Sequence, residues 1–148
     1  MEFRSRPKSN YLLDAEWQEL HALTLHWQSD MIFFSDELRF IDRVIDKYFT
    51  SLVDKDHIEI SKGVALKLSD IKKTHESLYQ KISKHRQHIE NFMVNPFVSD
   101  ASAFRKEHAA LEDELTSFVN SFKDIKRNLF KLTDQVIKNE KEKHLIGR

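Results

Sequence analysis

Leu20-His21-Ala22-Leu23-Thr24-Leu25-His26-Trp27-Gln28-Ser29-Asp30-Met31-Ile32-Phe33-Phe34-Ser35-Asp36-Glu37-Leu38 is the stretch whose reading decides the fold. Leu20, Trp27, Met31, Phe34 and Leu38 recur at alternating steps of three and four, the spacing that lines one face of an α-helix. Only Thr24 interrupts the series. The same phase extends back through Trp17 to Leu13 and on through Ile41, Ile45 and Tyr48 to Leu52. Past Leu52 it would land on Lys55, Glu59 and Lys62, so the stripe stops there.

Two further tracts repeat the pattern. One reads Val64, Leu68, Ile71, His75, Leu78, Ile82, His85, Ile89, Phe92; the other reads Phe104, His108, Leu111, Leu115, Phe118, Phe122, Ile125, Leu129, Leu132, Val136. Asn95-Pro96 separates them, because proline lacks an amide donor and disfavours helical geometry at the residue before it. Ser99 and Asp100 offer caps for the third helix, and Asp56 with Glu59 resembles a capping pair for the second. The chain has two glycines and two prolines, too few turn formers for a fold built on strands.

The expectation is an all-α fold: three long antiparallel helices in an up-down-up, coiled-coil-like bundle, with one side left for a second copy to complete. The helices are placed at about 12–53, 57–94 and 100–138. The domain covers 11–138, a basic arm covers 1–10 with Arg4, Arg6 and Lys8, and a charged tail covers 139–148. Each helix is roughly 60 Å long at about 1.5 Å per residue. Reflection about residue 55 pairs position i with about 110 − i, and reflection about 97 pairs j with about 194 − j. The layers then agree: Trp27 with Ile82 and Leu111, Met31 with Leu78 and Leu115, Leu38 with Ile71 and Phe122, Ile41 with Leu68 and Ile125. This layout is similar to spectrin-type three-helix repeats, a likeness of architecture that carries no function.

The same reflection brings Thr24, His85 and His108 to one level as a polar core layer, and sets His75 between Phe34 and Phe118. Such a layer fixes register, and two imidazoles can satisfy each other with one donating and one accepting. Imidazole with carboxylate also suits zinc, iron or manganese. The candidate ligands are His85, His108 and Glu112, with His21 and His88 as further donors. His108-Ala-Ala-Leu-Glu112 resembles one element of the hemerythrin ligand set, in which a histidine and a glutamate project together into a four-helix bundle. His85-Arg-Gln-His88 departs from that family's paired-histidine spacing, and a fourth helix is missing. The resemblance implies an iron-type centre as the alternative to a purely structural layer. Buried neutral imidazoles further imply that stability falls as pH drops through about 6.5.

The remaining features bear on partners. With 24 Lys plus Arg against 24 Asp plus Glu, the net charge is zero and gives no pull toward nucleic acid. The absence of cysteine removes thiolate metal sites and cysteine nucleophiles. No serine nucleophile is marked out beside the imidazoles, so no catalytic residue is assigned and the chain is read as a non-enzyme. Residues 1–6 lack the apolar stretch of a secretory signal, and Met31-Ile32-Phe33-Phe34 is far short of the roughly 20 residues of a membrane span. A cytoplasmic location follows as the default. Phe33 and Phe40, seven apart with Val44 close by, lie outside the core stripe; Phe130 and Ile137 do the same on the third helix. The function expected is therefore protein contact, with a second copy or another helical protein as partner, and with no cofactor unless the histidine site holds zinc, iron or manganese.

Overall fold

The computed structural model describes residues 16–48, 55–95 and 101–146, and these form an all-α three-helix bundle. Helix α1 spans Trp17–Tyr48, α2 spans Lys55–Val94 and α3 spans Ala101–Ile146. No strand occurs among the described residues.

The helix ends follow local chemistry. The Glu16 carbonyl accepts the Glu19 and Leu20 amides at 3.0 and 3.1 Å and so opens α1; Leu13 and the arm at 1–10 lie outside the described residues. α2 starts at Lys55, which puts Asp56 inside the helix rather than at its cap. Gly63 does not delay that start. Its φ is not positive, so it sits in the helix at only the usual entropic cost of a glycine. At the other end the Asn95 amide bonds the Asn91 carbonyl at 2.9 Å, one residue before Pro96. Ser99 and Asp100 lie outside the described residues. α3 continues to Ile146, so residues 139–146 of the expected tail are helical. Their lysines and glutamates are good helix formers even where no apolar stripe remains.

The chain divides into two compact units, each with a segment of every helix. The first comprises the described residues of Met1–Ser35 and Lys73–Val119. Its core joins Leu20, Trp27, Met31 and Phe34 to Leu78, Ile82, Ile89 and Phe92 and to Phe104, Leu111, Leu115, Phe118 and Val119. Contacts between α1 and α2 pair rising with falling numbers: His21 with Glu90 at 3.3 Å, Gln28 with Ser83 at 3.3 Å, and the Met31 carbonyl with His75 Nε2 at 2.7 Å. The third pair lies four residues from the reflected register, and the first two fall within one residue of it. Lys81 with Glu114 and His85 with His108 do the same between α2 and α3.

The second unit comprises the described residues of Asp36–Lys72 and Asn120–Arg148. Its core holds Leu38, Ile41, Leu68, Ile71, Phe122, Leu129 and Val136, with Thr133 also buried. Ile125 and Leu132, expected in the core, are only half-buried. The cause is geometric: a straight α-helix drifts by about 20° per heptad against a strict seven-residue repeat. Along so long a helix the inward face slides to Leu129, Thr133 and Val136. Lys72 binds Asp42 at 2.6 Å and Lys126 binds Glu37, closing this unit's edges.

Candidate functional site

The polar layer forms in the first unit. Thr24, His85 and His108 are each fully excluded from solvent. The Thr24 hydroxyl does not take part in an inter-helix bond, however. It donates to the Leu20 carbonyl one turn back, at 2.8 Å, the self-satisfying bond that threonine makes inside helices. The layer is therefore a histidine pair with a spectator threonine.

The pair belongs to a chain of hydrogen bonds that starts at the surface. Glu107 Oε1 lies 3.2 Å from Nδ1 of exposed His88 and 2.8 Å from Nδ1 of buried His85. His85 Nε2 in turn lies 2.9 Å from His108 Nδ1. A carboxylate only accepts, so His85 Nδ1–H donates to Glu107. A neutral His85 must then accept at Nε2 from His108 Nδ1–H, which leaves a lone pair on His108 Nε2. That atom is buried and has no hydrogen-bond partner among the described residues.

Aromatic rings close the pair off. Phe104 stacks on His85 at 4.4 Å and 7°, and Trp27 stacks on His108 at 4.5 Å and 26°. The electrostatics follow from this enclosure. Burial drives the His108 pKa down to about 3, with the neighbouring His85 and Arg105 acting in the same direction. Burial also lowers His85, against the opposing pull of the Glu107 hydrogen bond and charge. For Glu107, burial acts upward, but its bonds to His85 and His88 outweigh that and hold the carboxyl below its ordinary value.

The candidate metal ligands are not gathered into one set. His21 pairs with Glu90 and His88 with Glu107, while Glu112 is buried one turn beyond His108. Among the described residues no group of three or more His, Asp and Glu is placed to hold a metal ion. A separation of 2.9 Å between two ring nitrogens is a hydrogen bond; tetrahedral ligands about 2.0–2.1 Å from zinc sit roughly 3.4 Å apart. His75 takes its expected place, bonded to the Met31 carbonyl with its ring 5.8 Å from Phe118.

Two acidic residues escaped sequence reasoning. Glu107 links two histidines, and a signal for it existed: reflection about 97 sets position 107 opposite 87, between His85 and His88. Asp30 is buried beside His26, 3.5 Å away on the same helix, and its i, i+4 spacing from His26 was the available hint.

The other notable surface is the outer side of α1. Phe33 and Phe40 are 40% and 49% exposed, while Val44 is half-buried. Beside Phe33 in the first unit lie Leu25, 40% exposed, and Ile32, 53% exposed. The exposed positions of α1 from 22 to 33 are Ala22, Leu25, Ser29, Ile32 and Phe33, and none is charged. The exposed side of α2 in this unit reads very differently, with Lys73, Glu76, Lys81 and Lys84. No helix among the described residues is long and apolar enough to cross a membrane. No family model, curated protein or solved structure matches the chain.

Proposed function

We propose that this chain works by protein contact, through the outer face of α1, and not by catalysis. The observation that carries this reading is the run of uncharged exposed positions from Ala22 to Phe33. Ordinary surfaces intersperse both charge signs, and a helix face with three large exposed apolar side chains in about three turns is suited to receive another helix. The imidazoles support the same conclusion from the other side. They lie under Phe104 and Trp27, fully buried, where a substrate has no access to them.

A photo-crosslinking residue in place of Ile32, expressed in the native cell, tests the reading against the same residue in place of Ser77 on the exposed side of α2. Protein adducts should form from position 32 and not from position 77. Equal yields, or none from position 32, overturn it.

A further inference from the structure

The histidines are unevenly placed. Of the chain's eight, His21, His26, His75, His85, His88 and His108 fall within the first unit. The two that are fully buried among the described residues, His85 and His108, are bonded to each other there. The second unit buries no histidine among its described residues. Its core is apolar apart from Thr133, whose hydroxyl donates to the Leu129 carbonyl at 2.8 Å.

The bonds of the pair leave one place for a further proton. His85 Nδ1–H donates to Glu107 and His108 Nδ1–H donates to His85 Nε2, so the free lone pair is on His108 Nε2. That atom is buried without a hydrogen-bond partner, as is the indole N–H of Trp27, whose ring stacks on His108. An indole donates only; its face attracts an imidazolium but offers no acceptor for a new N–H. On α3, Glu107 favours a proton on His85 against the effect of burial, Arg105 opposes one on His108, and Glu112 is buried one turn beyond. On α2, His88 opposes charge on His85, and Arg86 is held by Gln28 and Glu90. On α1, His21 lies beside Glu90 and His26 beside Asp30.

We propose that the first unit is an acid-operated switch: protonation of the His85–His108 pair opens this unit by itself, while the second unit stays folded. Sub-global opening of one cooperative unit is an ordinary property of folded chains. Opening gives the imidazoles to water, where they accept a proton near pH 6.5. Buried, His108 does not take it until about pH 3. Between pH 7.5 and 5.5 the open form therefore gains about tenfold through His108 alone, in an interval above the ordinary carboxylate range. His85, also lowered by burial, acts in the same direction.

Native-state hydrogen exchange of the full chain, corrected for the intrinsic rate at each pH, tests this at buried positions of both units. From pH 7.5 to 5.5 the protection of the Ile82 and Leu111 amides should fall about tenfold or more, and that of Ile41 and Leu129 by less than about twofold. His108→Phe should remove most of the first change. Where that variant does not fold, His108→Gln, which cannot be charged, takes its place. An equal fall at all four amides would mean that acid acts on the whole chain, and overturns the proposal. Constant protection at Ile82 and Leu111 overturns it too, as does a fall there that persists undiminished in the variant.

Discussion

His85 Nε2 and His108 Nδ1 face each other at 2.9 Å with both rings shut away from water. His108 donates its one proton to that bond, so any further proton must go to its buried, unpartnered Nε2, where burial disfavours the charge. The folded pKa of His108 is about 3 against an unfolded value near 6.5. The unfolded chain therefore binds more protons between those limits, and the contribution to stability is complete above about pH 6.5 and lost progressively as pH falls toward 3. Over the whole interval the loss is on the order of 5 kcal/mol. Denaturant midpoints at pH 7.5, 6.0 and 5.0 should fall in sequence, with part of the drop already present at 6.0, above the carboxylate range. A His108→Phe variant should lose the larger part of that early drop, while His85, also lowered by burial, keeps the rest; an unchanged pH profile in the variant would mean that His108 is not a neutral buried base.

Glu107 should matter more than its half-exposed position suggests. Glu107→Ala leaves His85 Nδ1–H buried without an acceptor, a cost of about 1–3 kcal/mol. His88→Ala removes only an exposed partner of the same carboxylate and should change stability by about 0.5 kcal/mol or less. Chemical denaturation of both variants at pH 7.5 checks the ordering. Equal effects would show that the carboxylate does not hold the buried ring.

Gly63 lies within α2 at a position where an added Cβ meets nothing within 4 Å, and its φ is not positive. Alanine there loses less backbone entropy on folding and clashes with no neighbour. Gly63→Ala should raise stability by about 0.5–1 kcal/mol, read as a higher denaturation midpoint with an unchanged m-value. A lower midpoint would mean that residue 63 is not helical.

Much of this was legible because bundle cores obey periodicity. The step of three and four locates Leu20, Trp27, Met31 and Phe34, and reflection about two breaks puts His85 opposite His108, where the structure has them. What stayed hidden has identifiable causes. Ile125 and Leu132 fell outside the core because phase drift accumulates with helix length. Glu107 and Asp30 fall outside the stripe reading because a stripe records only apolar positions that face inward, while polar side chains choose partners by reach; the facing position 87 and the His26–Asp30 spacing are the signals they do leave. Exposed Ala22, Leu25, Ser29 and Ile32 repeat the core's spacing on the opposite side of the helix, where periodicity alone does not separate a contact face from scattered apolar residues.

Phe33 and Phe40 yield a prediction of their own. Both are about half exposed, so Phe33→Gln with Phe40→Gln gives up little core burial and should leave the melting transition cooperative, with stability changed by about 1 kcal/mol or less. If Phe33 belongs to the contact face of α1, the double variant should lower the yield of protein adducts from a crosslinker at position 32 several-fold. An undiminished yield would place Phe33 outside the contact.

Thr24 gives the sharpest contrast between sequence and structure. As a member of a hydrogen-bonded His–His–Thr layer, its hydroxyl would serve a buried imidazole, and removing it would leave that imidazole unpaired at a cost of about 1–3 kcal/mol. Its hydroxyl instead donates to the Leu20 carbonyl at 2.8 Å, a group within the helix that takes part in backbone bonding in any case. Valine has nearly the same shape and keeps the β-branch that holds χ1 in a helix. Removing a buried hydroxyl whose only role is this local bond sheds its desolvation cost as well as the bond. Thr24→Val should therefore change stability by less than about 1 kcal/mol in either direction, and the pH profile set by His108 should persist unaltered. A loss of several kcal/mol, or a shifted profile, would mean that the hydroxyl reaches the histidine pair after all.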